Sequence, residues 1–123
     1  MGRKTVVYYT DMKGHSPVLA FLSSLAPHEQ EKALAYLSYL REEGEMLRRP
    51  IAKYLGDRLY ELRPKHIRVL YTFLGTSRVV VLHAFRKTTG PVPLHEKQCA
   101  LSRRADFTSR HEQHLIDIKM VRR

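Results

Sequence analysis

The stretch from Leu59 to Lys87, LYELRPKHIRVLYTFLGTSRVVVLHAFRK, holds three consecutive runs rich in Val, Leu, Ile, Tyr and Phe. Arg63-Pro64-Lys65 and Gly75-Thr76-Ser77 separate them, and such turn-forming residues between apolar, β-branched segments predict three short antiparallel strands. The same stretch carries Arg63, Lys65, Arg68, Arg78, Arg86 and Lys87 against one acid, Glu61, with His66 and His83 alongside. Tyr60, Tyr71, Phe73 and Phe85 are interleaved with these cations. Imidazoles to move protons, cations to meet phosphate oxygens and aromatics to stack on bases are what holding and breaking a phosphodiester requires. This segment is therefore the candidate functional centre.

Toward the N-terminus, TVVYYT (Thr5 to Thr10) reads as a first strand that pairs with the later sheet. Ser16-Pro17 supplies a helix N-cap followed by proline at the first helical position, and Val18, Phe21, Leu22 and Leu25 follow at helical spacing. A second helix starts at Pro27, with Glu29 and Glu31 suiting the positive end of its dipole and Gly44 as its stop. Ala33, Leu34, Leu37 and Leu40 form its apolar stripe, so the two helices are expected to make a hairpin. Residues 45–58 read as an irregular connection, because Pro50 forbids helix and Gly56-Asp57 signals a turn. Arg48, Arg49 and Lys53 bring positive charge from this connection to the entry of the sheet.

Beyond Lys87, residues 88–93 are a turn-rich loop, and Pro93 can begin a last helix with Leu94, Cys99, Ala100 and Phe107 as core contacts and Glu96 in its acidic first turn. In the tail from Thr108 to Arg123, Leu115, Ile116, Ile118 and Val121 either extend that helix or mark a surface that needs a partner. His111, Glu112 and His114 lack the spacing of the HExxH motif, and no metal site or other cofactor is expected. The expectation is a single α+β domain over residues 1–123, with an antiparallel-rich sheet of about four strands, an N-terminal helical hairpin and a C-terminal helix.

A net charge of +10, from 22 Lys and Arg against 12 Asp and Glu, predicts attraction to polyanions or to an acidic protein partner. Concentration of the excess in one segment favours nucleic acid over a merely solubilising charge. A single cysteine, Cys99, excludes an intramolecular disulfide and a cysteine-based zinc site, and fits a reducing compartment. No apolar run approaches a membrane span and no basic-then-apolar leader opens the sequence, so a cytoplasmic protein is expected.

LYELR, then RVLY, then HAFRKTTGPVP followed by Glu96, Ala100 and Arg103, resemble the HigB-like branch of the RelE/ParE toxin superfamily. The resemblance takes in FLSSL, ALAYLSYLREEG, LRRPIAKYLGDRLYELR and SRRADF, and covers roughly residues 15–107 in order. It implies a RelE-like microbial ribonuclease fold and a small basic toxin of a type II toxin-antitoxin pair. Such a toxin cleaves messenger RNA, typically on the ribosome, and is silenced by an antitoxin that is often a helix-turn-helix DNA-binding protein. By motif, Arg63, Arg68, His83 and Lys87 take the catalytic positions, while Tyr71 and Phe85 fall on the family's aromatic ones. Where the family carries a second lysine this chain has Thr88, and the later basic position is Pro91, which loosens the implied phosphate grip.

Cleavage of RNA without a metal has the 2′-hydroxyl attack the adjacent phosphorus. It needs a base, cations around the charged transition state and an acid for the leaving oxygen. His83 is the candidate base or acid, and Arg63, Arg68 and Lys87 the candidate phosphate cations. Tyr71 and Phe85 are candidates for base stacking, and Lys65, Lys53 and Arg86 for further backbone contacts. Two-residue alternation puts His83, Phe85 and Lys87 on one face of their strand, together with Val79 and Val81, and puts Arg68 and Tyr71 on opposite faces of theirs. A nucleic-acid-binding module without catalysis, or a toxin of the same fold aimed at a protein such as gyrase, are the alternative readings.

Overall fold

A computed structural model describes residues 3–87 and 89–121, with side chains as far as Arg110. It gives, in chain order, β1 (Thr5–Tyr8), α1 (Pro17–Ser23), α2 (Pro27–Glu43), a 3-10 turn (Gly44–Met46), β2 (Ala52–Gly56), β3 (Leu59–Leu62), β4 (Ile67–Leu74), β5 (Arg78–Arg86) and α3 (Leu94–Val121). The three strands expected in the central stretch are β3, β4 and β5. The sheet order is β1-β5-β4-β3-β2, with β1 parallel to β5 and every other neighbour antiparallel.

Five strands replace the expected four, and the addition is β2, inside the segment read as an irregular connection. Pro50 lies within a tight turn closed by Ile51 N–H on the Arg48 carbonyl, and Ala52, Lys53 and Tyr54 then pair with Leu62, Glu61 and Tyr60. Asp57 and Arg58 close the hairpin with positive φ values of 55° and 58°, the backbone twist a two-residue hairpin turn requires. Arginine seldom adopts that conformation, so the turn carries no glycine signal at its second position.

Two apolar clusters sandwich the sheet. On one face Val18 and Leu22 of α1 and Ala33, Leu37 and Leu40 of α2 pack against Leu62, Val69, Tyr71, Val79 and Val81. On the other, Ala100 and Phe107 of α3 cover Leu59, Leu70, Val80, Leu82 and Phe85. Ser16 caps α1 by accepting from the Leu19 N–H at 3.2 Å, with Pro17 at the first helical position. Within the expected stripe of α2, Leu34 is the exception at 51% exposure, because the face that meets the sheet is Ala33-Leu37-Leu40.

β5 does not alternate throughout. Leu70 stands opposite His83 but Tyr71 stands opposite Val81, so Leu82 is an extra residue on β5, a β-bulge. Val79 and Val81 face α1 and α2, whereas Leu82, His83 and Phe85 all face α3. The expected common face for His83, Phe85, Val79 and Val81 is therefore corrected: the bulge inverts parity at its own position. β4 is regular, and Arg68 and Tyr71 do lie on opposite faces. Thr88, the side chains of His111, Glu112 and His114 and those of the apolar tail residues lie outside the described residues.

Leu40→Ala, which empties a fully buried position, should cost about 2–5 kcal/mol of unfolding free energy. Leu34→Ala should stay within about 0.5 kcal/mol of the parent. Urea denaturation of the two variants checks the assignment of the α2 face.

Candidate active site

The face of the sheet beneath α3 carries the candidate residues in two cross-strand rows. Lys53, Glu61, Leu70 and His83 stand side by side from β2 to β5. In the next row Arg68 stands opposite Phe85, and Arg63, one residue beyond β3, continues the same register toward Arg68. Both arginines converge on Glu61, with Arg63 Nε 3.6 Å from Oε1 and Arg68 Nε 3.7 Å from Oε2. Those distances make ion pairs without hydrogen bonds, and Glu61 Oε2 and Arg68 Nε are buried without a hydrogen-bond partner among the described residues. Arg68 Nη1 donates instead to the carbonyls of Lys65 (2.7 Å) and Ile67 (2.9 Å), which fixes the guanidinium at the mouth of the β3–β4 turn.

Burial of Glu61, only 3% exposed, is tolerable because two cations share its charge. Burial and the neighbouring Arg63 lower the Arg68 pKa while Glu61 raises it, and the group stays a cation throughout the working pH range. Two guanidiniums thus share one carboxylate, which leaves a local excess of positive charge able to meet a phosphate.

His83 sits at the inner end of this patch, its ring stacked on Phe85 with centroids 5.4 Å apart and planes 25° apart. The Nε2 atom lies 2.5 Å from Glu96 Oε1 on the first turn of α3. Nδ1 lies 3.1 Å from Arg103 Nη1 and 3.8 Å from the Cys99 thiol. A guanidinium only donates, so Nδ1 is the acceptor, Nε2 carries the hydrogen, and that hydrogen goes to the Glu96 carboxylate. The imidazole is neutral. Burial is the largest influence lowering its pKa and Arg103 adds to it, against the raising effect of the Glu96 hydrogen bond.

Arg103 also donates to the carbonyl of the bulge residue Leu82 at 3.0 Å and lies 5.8 Å from the centre of the Tyr9 ring. Tyr9 donates to Asp106 at 2.6 Å, and Arg110 holds that same carboxylate from the next turn of α3. The helix is thereby fastened at the bulge.

Of the residues singled out from the sequence, Arg63, Arg68, Phe85 and His83 come together here. Lys87 follows β5, its backbone N–H donating to the His66 carbonyl at 2.7 Å, and its side chain is half-buried with no partner among the described residues. Lys65 is exposed in the β3–β4 turn at φ 54°, and Lys53 is half-buried on the edge strand. Tyr71 and Arg86 are elsewhere. Tyr71 is 1% exposed in the core against α1 and α2, stacked on Tyr60, and burial pushes its phenol well up. Arg86 makes a two-pronged pair with Glu29 of α2 at 2.5 and 3.1 Å, which holds that carboxyl down at about 2. Phe85 is 7% exposed and serves as a floor beneath His83.

Sequence reasoning assigned Glu96 only to the acidic first turn of the helix and Cys99 to the core, and gave Arg103 no role. A signal existed: Glu96, Ala100 and Arg103 recur at helical spacing, which places both charges on the buried face that Ala100 defines. Among the described residues no group of His, Cys, Asp and Glu could hold a metal ion.

Because the folded imidazole titrates below its unfolded counterpart at about 6.5, the unfolded chain binds the proton first as pH falls. Stability contributed by neutral His83 should therefore drop from about pH 6.5 downward until the folded pKa is passed. Urea midpoints at pH 7.5 and 5.5 should differ more for the wild type than for His83→Gln, which cannot titrate.

Residues 20–105 match the sequence model of the family described as Phage derived protein Gp49-like (DUF891). No curated protein matches the chain. With well over half of its length matched in this way, the chain belongs to the Gp49-like phage-derived protein family, a RelE/toxin-like family.

Proposed function

We propose that this protein is the toxin of a type II toxin-antitoxin pair, of the HigB-like kind, and an endoribonuclease that cuts messenger RNA, in a ribosome-dependent way, by metal-independent attack of the 2′-hydroxyl on the adjacent phosphate. The observation that carries this reading is the meeting of Arg63 and Arg68 over one shared carboxylate, in the row next to a neutral histidine held at both ring nitrogens. Membership of a toxin-like family and the charge of +10 support it.

In the proposed reaction the scissile phosphate lies against Arg63 and Arg68, with Lys87 beside them as a point charge. These cations stabilise the extra negative charge of the transition state, which a preformed site can do without reorganising. His83, with its partners on α3, belongs to the proton-transfer end. The row Lys53-Glu61-Leu70-His83 leads from this end to the β2 edge, and around that edge, on the opposite face of the sheet, lies an open groove lined by Glu45, Arg48, Arg49, Lys53, Tyr54 and Tyr60. Exposed Tyr54 and the cations suit a single strand leaving the site, since aromatic faces accept any base and basic side chains follow the backbone. The antitoxin is a small partner encoded beside the toxin, of the helix-turn-helix DNA-binding kind. The proposed setting is the cytoplasm; among the described residues no helix is long and apolar enough to cross a membrane.

Induction of the wild type in a bacterial host should arrest growth, with primer extension showing cuts inside translated frames. Arg68→Ala should reduce cutting about 100-fold or more, the usual cost of removing one transition-state contact, and His83→Ala with Lys87→Ala should abolish it. Growth arrest with intact messages would move the target to a protein. Retained RNA binding without cuts would make the protein a non-catalytic binding module.

A further inference from the structure

The hydrogen bonds of His83 leave it no lone pair. Nδ1 has only one, in the ring plane, and Arg103 Nη1 donates into it at 3.1 Å; Nε2 spends its hydrogen on Glu96 at 2.5 Å. An imidazole so engaged cannot accept a proton from an incoming hydroxyl. Arg103 is not a casual neighbour that leaves at no cost, because the same Nη1 also donates to the Leu82 carbonyl at the bulge. Glu96 is different. Its Oε1 receives the imidazole hydrogen, while Oε2 meets, among the described residues, only exposed His95, 3.4 Å away on the same turn of α3. A carboxylate has about four acceptor positions, so Glu96 keeps acceptor positions that no described residue fills. It is also only partly covered, at 19% side-chain exposure, on the turn that follows the loop leaving Lys87.

We propose that Glu96 is the general base of the ribonuclease and that His83 is its positioning residue; this rests on the endoribonuclease reading above. In the step, a Glu96 carboxylate oxygen takes the proton of the 2′-hydroxyl as the 2′-oxygen forms its bond to phosphorus. The bond from phosphorus to the 5′-oxygen breaks, and that oxygen takes a proton from water. The products are a 2′,3′-cyclic phosphate and a 5′-hydroxyl, and Glu96 returns its proton to solvent. His83 serves by aiming the carboxylate through Nε2–H, much as a buried acid orients a histidine in the reversed arrangement. Arg103 serves by fixing which nitrogen carries that hydrogen. The groups facing the pair are His95, Cys99 and Arg103 from α3, and from the strands the uncharged Leu70 and Phe85.

The assignment inverts the usual expectation for the two residues and is tested by conservative variants. Glu96→Gln keeps an acceptor for the imidazole hydrogen but removes the base; His83→Gln keeps an N–H donor near the place of Nε2 but removes the imidazole. Purified wild type and variants are assayed on ribosome-bound messenger RNA, with melting curves confirming folding. The expected result is a loss of about 100-fold or more in kcat for Glu96→Gln, with His83→Gln retaining more activity than His83→Ala. A His83→Gln variant as inactive as His83→Ala, beside an active Glu96→Gln, overturns the assignment. Nitrogen-15 NMR of the imidazole gives a readout independent of cleavage: Nε2–H with unprotonated Nδ1 is expected at pH 7, and the opposite tautomer or an imidazolium overturns it. A wild type that cleaves no RNA, with or without ribosomes, removes the ribonuclease reading and this assignment together. An active wild type with an active Glu96→Gln removes only the assignment.

Discussion

The β-bulge at Leu82 is the constraint on which the arrangement of the site depends. β5 pairs with β1 on one side and β4 on the other, so any change in its alternation is imposed on the middle of the sheet. The run Arg78–Arg86 must fill two cores at once, with Val79 and Val81 under α1 and α2 and with Val80 and Leu82 under α3. Strict alternation from Val81 would send His83 into the first of these cores, among apolar and aromatic side chains and away from Glu96 and Arg103. One extra residue turns it to the other face instead. The bulge has a cost, an interrupted ladder with a carbonyl to satisfy, and Arg103 offsets it by donating to Leu82 O while also holding His83.

That dual contact ties the chemistry of the site to the packing of α3. Ala100 is fully buried between Glu96 and Arg103, and Phe107 continues the same face toward Leu74 and Val80. A helix that docked by its apolar residues alone could slide or rotate by a fraction of a turn with little loss. Tyr9, Asp106 and Arg110 prevent this, because their bonds connect the end of β1 to the middle of α3 with defined geometry. The position of Glu96 against His83 is thus set from three turns away. Charge balance obeys a similar economy: a chain with a net +10 places Glu61, the one deeply buried acid among the described residues, between two arginines of the proposed phosphate site. Self-repulsion in the cation cluster is relieved without neutralising it.

Much of this was legible in the sequence where local chemistry dictates structure. The turns at Pro64-Lys65 and Gly75-Thr76 fix β3, β4 and β5, and the Ser16-Pro17 and Pro27 signals fix the starts of α1 and α2. β2 was not legible: it is a five-residue edge strand whose turn uses Asp57 and Arg58 where Asn-Gly would have announced a hairpin. Arg86 looked like one more cation of the cluster. Its partner Glu29 is 57 residues away, and no local pattern foretells that it turns to the other face of the sheet. Tyr71 illustrates the same limit, since an aromatic at strand spacing reads alike whether it faces a core or a cleft.

The bulge shows why site residues are harder to read than folds. VVVLHAFR has a uniform apolar pattern, and nothing in it marks Leu82 as supernumerary, because Val, Leu and Phe are acceptable on either face. The register is settled by the sum of two cores and one arginine on a helix 20 residues later. A parity argument that is sound for a regular strand therefore puts His83 and Phe85 on the same face correctly, yet groups them with Val79 and Val81, which lie on the other. Local alternation establishes which side chains neighbour one another; only the long-range contact of Arg103 with Leu82 and His83 establishes what they face. In this fold the surroundings of His83 are decided at that second level, where one inserted residue exchanges an apolar core for Glu96 and Arg103.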